Sequence, residues 1–115
     1  MKFWIKKHYE FDTSKEGEIV GKKERYVLAI CDESLLGRRL RGVGIEGEES
    51  TISKEFYGEE LIEEEEVLKL IEDKNLIAIN AMGEGITKLL LEKGYGTTDQ
   101  IREIDGVKHL IVFFI

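Results

Sequence analysis

Residues 76–94, LIAINAMGEGITKLLLEKG, decide the fold class, because the pattern of a strand gives way there to the pattern of a helix. Residues 76–79 form a short apolar run of strand length. Apolar residues then recur at the i, i+4, i+7 and i+8 spacing of one helix face, at Met82, Ile86, Leu89 and Leu90. Gly94 is a typical helix stop. This stretch predicts a strand, a turn and a helix in succession.

The residues that follow predict a C-terminal β-hairpin. Two apolar runs, 101–104 and 107–115, are joined by Asp105-Gly106, which supplies the positive φ angles of a tight type I′ turn. The second run is apolar on both of its faces. A strand of this kind is expected inside the sheet or beneath helices.

The residues before this stretch predict further strands and one more helix. Alternation over 3–11 and the run 26–31 predict strands, and 63–72 predict a helix that begins in four glutamates. A short helix is expected from Asp32 toward Arg41, then a turn and edge strand over 43–53. Phe56-Tyr57-Gly58 is expected to be an aromatic anchor in a loop, and 12–24 a long hairpin connection or a mobile insertion.

These elements together predict one compact α+β domain over residues 1–115. We expect a mixed sheet of about five or six strands, two to three helices and the C-terminal hairpin. The length of 115 residues is typical of one domain, and 42% of the residues are hydrophobic, which is enough for a single core.

The composition also narrows the class of protein. The single cysteine, Cys31, fits a reducing compartment, and no signal peptide or membrane span is evident, so a cytoplasmic location is expected. Paired Cys and His ligands are absent, and the sequence predicts neither a metal site nor a cofactor. Charged residues make up 36% of a chain without proline, and Asn and Gln are few, a bias typical of thermophile proteins.

The net charge of −7 is unevenly divided along the chain. Residues 1–45 contain ten basic and seven acidic side chains, a net charge of +3, whereas the remaining residues carry −10. Local clusters of basic residues can attract phosphate even on an acidic protein. The asymmetry favours an RNA or phosphorylated ligand, whereas the overall acidity makes duplex DNA an unfavourable partner.

Several short motifs in a fixed order resemble a known family. They are Cys31-Asp32-Glu33, Leu35-Leu36-Gly37, Phe56-Tyr57-Gly58, Gly83-Glu84, and Gly106-Val107 with His109. In this order they resemble the archaeal family catalogued as domain of unknown function number 424, over most of the chain from about Tyr26 onward. Lys108 stands where the family has a proline, and residues 12–24 are longer than the family's connection. The resemblance implies an archaeal source and an α+β fold, and it brings no established activity.

The start of the predicted helix after residue 79 is a candidate anion site. Asn80 is expected to cap the helix, while Gly83 and Gly85 would let a ligand approach the backbone N–H groups. Lys88 follows about one turn later. The alternative is ordinary strand-to-helix packing, because the third glycine of the dinucleotide fingerprint is missing and Glu84 would repel an anion.

Arg38, Arg39 and Arg41 are the strongest candidates for contacts with phosphate. They could act together with further basic residues of this half of the chain, namely Lys6, Lys7, Lys22, Lys23 and Arg25. Tyr57 or Trp4 would be available to stack on a base. The alternative is a solvated basic surface that balances nearby carboxylates.

Asp32, Glu33 and His109 are weak catalytic candidates. Asp32 and Glu33 follow a strand, where side chains often face a cleft, although adjacent carboxylates at a helix start are commonly caps. His109 could be a proton carrier or pair with His8 if their strands are neighbours, and it could equally be a hydrogen-bonded structural residue. Cys31 is expected to be a small core residue with an unreactive thiol.

Three function classes remain open from the sequence. The first is a non-catalytic binding module for RNA or a phosphorylated small molecule. The second is a small enzyme acting on a nucleotide-like or phosphorylated substrate, and the third is an interaction subunit that uses the acidic helix. The basic arginines and the absence of a catalytic motif favour the binding module.

Overall fold

The structure is a computed structural model that describes residues 1–10, 25–43 and 48–114. Within these residues, two short 3₁₀ segments occupy Glu33–Leu35 and Thr98–Gln100. The strands and helices in chain order are β1 (Lys2–Tyr9), β2 (Tyr26–Asp32), β3 (Arg39–Val43), β4 (Glu48–Thr51), α1 (Lys54–Tyr57), β5 (Glu60–Glu63), α2 (Glu64–Ile71), β6 (Leu76–Met82), α3 (Glu84–Glu92), β7 (Arg102–Ile104) and β8 (Val107–Phe113).

Six of these strands form one mixed sheet in the order β5-β1-β2-β6-β8-β7. The central pair, β2 and β6, is parallel, and every other pairing in this sheet is antiparallel. Strands β3 and β4 form a separate two-stranded antiparallel sheet, which we call the small sheet. The prediction of a single α+β domain with a mixed sheet and a C-terminal hairpin is confirmed.

The core lies on both faces of the six-stranded sheet. On the helix face, side chains that alternate along the strands, such as Phe3, Leu28 and Ile30, are buried against α2 and α3. On the opposite face, Ala29, Cys31 and Met82 are buried beneath residues of the small sheet and α1, namely Leu40, Ile52 and Tyr57. The sheet therefore separates two clusters of apolar side chains.

The clearest local patterns predicted their elements correctly. The alternation at the start of the chain gives β1, with Phe3 and Ile5 buried, and the glutamate-led helix is α2. The Asp105-Gly106 turn joins β7 to β8, with φ angles of 48° and 77°. Residues 12–24, expected to be a connection or insertion, lie outside the described residues.

Two expectations in the middle of the chain were wrong. The helix expected from Asp32 toward Arg41 is only a 3₁₀ turn, because Gly37 has a φ of +88° and β3 begins at Arg39. Phe56 and Tyr57 belong to α1 rather than to a loop. Ser53 starts this helix by accepting a hydrogen bond from the Phe56 backbone N–H, and Gly58 ends it.

The boundary between β6 and α3 also differs from the expectation. Asn80 and Met82 lie in β6, which continues to Met82 because it pairs with β2 on one side and β8 on the other. Asn80 therefore does not cap α3, and Met82 does not belong to its apolar face. The N-cap is Gly83, and Gly94 follows the end of α3 as expected, with a φ of +84°.

Strand β8 lies inside the sheet, between β6 and β7, but only part of it is covered on both faces. Leu110 is fully buried on the helix face, whereas Ile111 is 43% exposed and Phe113 75% exposed on the opposite face. The small sheet and α1 cover the other end of this face, so the expectation of a strand buried on both sides was wrong for Ile111 and Phe113.

None of the described helices has the length and apolar character needed to cross a membrane.

Candidate functional site

The start of α3 is occupied by a carboxylate of the protein itself. The two carboxylate oxygens of Asp32 accept hydrogen bonds from the backbone N–H groups of Gly85, at 2.8 Å, and Ile86, at 2.9 Å. Asp32 is only 7% exposed. A Cβ atom added to Gly83 would lie 2.5 Å from the Asp32 carboxyl carbon, so the absent side chain makes room for this carboxylate. The N–H groups expected to attract an external anion already bind an internal one.

The charged residues around the start of α3 do not create a binding site for an anion. Glu84 is exposed, and its carboxylate lies 3.7 Å from the ammonium of Lys108. Lys88 is exposed on the surface of α3. Because Asp32 fills the position next to Gly83 and Gly85, an incoming anion would meet like charge there. The absence of a side chain at Gly83 lets the Asp32 carboxylate approach the backbone, whereas a Cβ atom on Gly85 would first meet the side chain of Met1.

The three catalytic candidates do not converge on one pocket. The Asp32 side chain bonds to α3 on the helix face, whereas His109 bonds to Asn80 on the opposite face of the sheet. Glu33 is exposed on a 3₁₀ turn. An acid and a base must reach the same reacting group, and the sheet separates Asp32 from His109.

The three arginines do not share one direction: Arg39 and Arg41 belong to β3, whereas Arg38 precedes this strand. Leu40 is buried toward the six-stranded sheet, so alternation places Arg39 and Arg41 on the outer face. The Arg41 side chain lies 3.8 Å from the Glu49 carboxylate. Arg38 instead reaches the β7–β8 turn, where its guanidinium donates a hydrogen bond of 3.0 Å to the Asp105 carbonyl. Only Arg38 faces the six-stranded sheet.

The other basic candidates are dispersed as well. The Lys6 ammonium donates to the Glu55 carbonyl at 2.7 Å, and the Lys7 ammonium lies 5.0 Å from the centre of the Tyr26 ring. The Arg25 guanidinium lies 3.6 Å from the Glu10 carboxylate. Lys22 and Lys23 are outside the described residues. The described basic residues do not form one phosphate-binding face.

His8 and His109 are not neighbours, because β2 and β6 lie between β1 and β8. His8 donates a hydrogen bond of 2.8 Å from Nε2 to the Phe56 carbonyl, and the two rings are 4.5 Å apart at their centroids. Together with Lys6 it holds the last carbonyl groups of α1 against β1. The condition for a pairing of the two histidines, that their strands be neighbours, is therefore not met.

His109 belongs instead to a three-residue hydrogen-bond network. The Asn80 side-chain oxygen receives the Tyr57 hydroxyl at 3.1 Å and contacts His109 Nε2 at 2.8 Å. Tyr57 is only 7% exposed, so its ring cannot stack on a base as expected. Trp4 is partly buried and packs against the cluster beneath the small sheet. The network anchors α1 to β6 and β8.

Strand register places Arg102 beside this network. Met82 pairs with His109, and His109 pairs with Arg102 on the next strand. The row of cross-strand neighbours therefore runs through Cys31, Met82, His109 and Arg102. Burial lowers the pKa of His109, and the positive charge of Arg102 lowers it further. His109 is accordingly held in its neutral form.

Two adjoining depressions share His109. The first, which we call the His109 cleft, has a volume of about 370 Å³ and lies between the small sheet, α1 and the six-stranded sheet. Its polar lining residues are Ser50, Thr51, Ser53, Tyr57 and His109, and Phe56 lines it as well. Because Ser50 pairs with the buried Leu40 and Thr51 pairs with Arg39, Ser50 is the β4 residue whose side chain points toward the cleft. The second, the Phe113 groove, has a volume of about 420 Å³ and is lined by Asp99, Gln100, Arg102, His109, Ile111 and Phe113.

The chemistry available in these depressions is recognition through hydrogen bonds and aromatic contacts. Burial raises the pKa of Tyr57, and it raises the pKa of Cys31 to about 12, so neither group is ionised near neutrality. Within the part of the chain that the structure describes, no group of three His, Cys, Asp or Glu side chains could hold a metal ion.

Arg102, Phe113, the hydroxyl residues of β4 and the position of Phe56 in the cleft were not predicted from the sequence. One signal was available: a two-residue Asp105-Gly106 turn fixes the register of its hairpin, and counting back from the turn pairs Arg102 with His109. The presence of Ser50 and Phe56 in the cleft depends on how the small sheet and α1 pack against the six-stranded sheet. No local pattern reports that placement.

Comparisons with known proteins give a family and a structural relative. A family model described as "Protein of unknown function (DUF424)" matches residues 21–115. The crystal structure of an uncharacterized conserved protein from Methanopyrus kandleri is similar over 100% of this chain and 93% of that one, with a TM-score of 0.70 and 27% sequence identity. No curated protein matches the chain.

Proposed function

The chain belongs to the family described as protein of unknown function DUF424, and from this premise we propose that it is a non-catalytic binding module for RNA or a phosphorylated ligand. Single-stranded RNA is the ligand that the geometry supports best. The supporting observation is the strip formed by Phe56, His109, Arg102 and Phe113 along the two adjoining depressions.

The strip contains the side chains that single-stranded nucleic acids use. Phe113, at one end, is 75% exposed and offers its ring for stacking on a base. Phe56, at the other end, is 38% exposed and already contacts the rings of His8 and Tyr57, so a base would stack on its remaining exposed surface. Between them, His109 and the hydroxyl groups can form hydrogen bonds with a base or a ribose. Single-stranded RNA presents unstacked bases, which suits two separated aromatic rings better than a rigid duplex does.

The charges around the strip support a phosphate-bearing ligand. Among the residues that the structure describes, those that line the His109 cleft include no carboxylate, although the protein has 24 acidic residues and a net charge of −7. Arg102 lines the Phe113 groove, and Arg38 reaches Asp105 next to the cleft residue Ile104. Two guanidinium groups thus lie near a cleft whose described lining residues carry no negative charge. The acidic remainder of the surface disfavours a long duplex.

A binding role is also supported by the separation of the titratable groups. Asp32 and His109 lie on opposite faces of the sheet, so general acid–base catalysis by this pair is not supported. Asp99 lines the groove with His109, but its carboxylate receives the hydroxyl of Thr97. The groups that face the strip are suited to holding a ligand.

Fluorescence anisotropy with a labelled single-stranded RNA of about 12 nucleotides at low salt tests the proposal. Arg102→Ala and Phe113→Ala are the informative variants, and Phe113→Leu keeps apolar bulk without a ring. Arg39→Ala is the matched control, because Arg39 lies on the outer face of the small sheet. Loss of one stacking ring should weaken binding by about 5- to 150-fold.

The results separate RNA from a small ligand and from no ligand. Weakened binding in Arg102→Ala and Phe113→Ala, with Arg39→Ala like the wild type, supports the proposed RNA-binding strip. If mononucleotides bind as tightly as the RNA does, the ligand is a phosphorylated small molecule. Absence of RNA and nucleotide binding by the folded wild-type protein, or equal weakening by Arg39→Ala, contradicts the proposal.

A further inference from the structure

The hydrogen-bond network fixes the position of the proton on His109. The side-chain oxygen of Asn80 has lone pairs and no hydrogen, so it can only accept. It receives the Tyr57 hydroxyl at 3.1 Å, and its contact of 2.8 Å with His109 Nε2 therefore requires Nε2 to donate. Neutral His109 carries its proton on Nε2, which leaves a lone pair on Nδ1.

The Nδ1 atom of His109 is accessible to a ligand. Among the described residues, every buried side-chain nitrogen or oxygen has a hydrogen-bond partner. The structure records the partner of Nε2 but gives Nδ1 none within the same residues, so Nδ1 is not buried. His109 lines both the His109 cleft and the Phe113 groove, so a ligand in either depression would lie beside this imidazole.

The remaining surroundings of Nδ1 suit an uncharged planar group. Ser50, paired with the buried Leu40, carries a hydroxyl that can either donate or accept. Ser53 Oγ accepts the Phe56 N–H and can still donate, and Phe56 supplies an aromatic surface. A phosphate group near neutrality has acceptor oxygens and negative charge, and it would place these against the lone pair of Nδ1. A nucleobase offers N–H donors in a flat ring, which complement an acceptor beside an aromatic side chain.

We infer that the His109 cleft binds the base of a nucleotide by accepting a base N–H at His109 Nδ1, and that the phosphate lies outside the cleft, toward Arg38 or Arg102. This inference rests on the RNA-binding function proposed above and adds the recognised group. Uracil meets the requirement through its N3–H, and methylation of N3 removes that donor while the ring remains.

The direct test uses ¹⁵N-labelled protein near pH 7.5 and records the imidazole nitrogens of His109 by NMR. The probes are uridine, 3-methyluridine, cytidine, adenosine, guanosine and ribose 5-phosphate. We expect His109 to show a proton on Nε2 only, and at least one nucleoside to shift the Nδ1 signal. Uridine should bind at least about fivefold more tightly than 3-methyluridine, the factor for one hydrogen bond of about 1 kcal/mol. Ribose 5-phosphate should leave Nδ1 unchanged.

Asn80→Asp is the variant that reverses the preference. It keeps an oxygen acceptor for Tyr57 and His109, but the carboxylate stabilises the imidazolium, in which Nδ1 carries a proton and donates. Nucleoside binding should fall about fivefold or more, while ribose 5-phosphate gains affinity for the cleft. Arg39→Ala again serves as the control for the outer face.

The outcomes distinguish this inference from the proposed function. A proton on Nδ1 of the wild-type protein, a shift of Nδ1 by ribose 5-phosphate, or equal binding of uridine and 3-methyluridine would overturn the inference. RNA binding measured by anisotropy would still stand in each of these cases. Failure of both RNA and all nucleosides to bind would overturn the function and the inference together.

Discussion

The start of α3 and the His109 cleft lie on opposite faces of the sheet, and both involve β6. At the start of α3, two backbone N–H groups are paired with the buried carboxylate of Asp32. In the cleft, Nε2 of His109 is paired with Asn80 while Nδ1 stays accessible. A polar group whose partner belongs to the protein contributes to stability. A polar group left open contributes to recognition, so the second region is the better binding candidate.

Glycines alone could not distinguish these two situations. A glycine marks a place where another atom approaches the backbone, and that atom can belong to a ligand or to the protein. At Gly83 it belongs to Asp32, 51 positions earlier in the chain. The contrast predicts that damage to the start of α3 lowers stability without changing ligand affinity, whereas loss of the exposed side chains of the strip, Arg102 and Phe113, lowers ligand affinity with little change in stability.

Gly83→Ala should have the largest effect on stability. Gly83 has φ 121° and ψ 155°, a conformation that is essentially restricted to glycine, and the new Cβ would lie 2.5 Å from the Asp32 carboxyl group. We expect a loss of about 3 kcal/mol or more in the free energy of unfolding, measured by urea denaturation. Gly94→Ala is the control: its φ is +84° but an added Cβ meets no atom within 4 Å, so about 1–2 kcal/mol is expected. Equal losses would show that Asp32 is not closely packed there.

Asp32→Ala should have the next largest effect. It leaves the Gly85 and Ile86 N–H groups without their acceptor, and we expect a loss of about 2 kcal/mol. The exposed neighbour Glu33 provides the control Glu33→Ala, which should change stability by less than about 0.5 kcal/mol. If Asp32→Ala weakened RNA binding by the fully folded protein, the separation of the two regions would be wrong.

Tyr57→Phe should cost less, because the buried ring is retained and only the hydroxyl that donates to Asn80 is lost. A loss of about 1 kcal/mol in urea denaturation is expected. Tyr95→Phe is the matched control, since the Tyr95 hydroxyl has no hydrogen bond within the described residues and its ring packs against Phe114. A loss as small as that of the control would argue against the network around Asn80.

The smallest expected effect is a pH dependence that comes from His109. Its pKa in the folded protein is below the ordinary value of 6.5, so between these two values the unfolded chain binds more protons. The stabilisation by neutral His109 is therefore complete above pH 6.5 and declines as the pH falls toward the lowered pKa. The titratable or charged groups facing His109 are Arg102 from β7, Asp99 beside it in the groove, and Tyr57 from α1.

His109→Gln removes this titration and keeps an amide N–H that can donate to Asn80. The difference in the free energy of unfolding between wild type and His109→Gln, measured in urea from pH 8 to pH 5, should shift against the wild type below pH 6.5. A difference that does not vary with pH would show that His109 is not held neutral by its surroundings.

The sequence predicted elements better than it predicted what the elements place together. Short-range patterns sufficed for β1, α2 and the β7–β8 hairpin, because alternation, helical spacing and the Asp-Gly turn are local. The end of β6 was misplaced because Asn80 and Met82 are held in the strand by their pairing with β2 and β8, which no local pattern reveals.

The candidate site was also only partly predictable, because it depends on which strands are neighbours. His109 and Asn80 were both named from the sequence, yet their hydrogen bond depends on the adjacency of β6 and β8. Arg39 and Arg41 were grouped with Arg38 by their closeness along the chain. Strand alternation turns them to the outer face once β3 is known to be a strand rather than the end of a helix.

The buried thiol of Cys31 can be used to measure how often the elements that cover it move away. This is the only thiol of the protein, and it lies fully buried beneath Leu40, Ile52 and Tyr57. A thiol reagent can reach Cys31 only when the small sheet and α1 separate from the six-stranded sheet, or when the whole domain unfolds. When labelling is faster than global unfolding, its rate therefore reports how often the small sheet and α1 separate from the six-stranded sheet. This measurement requires no substitution and no attached dye.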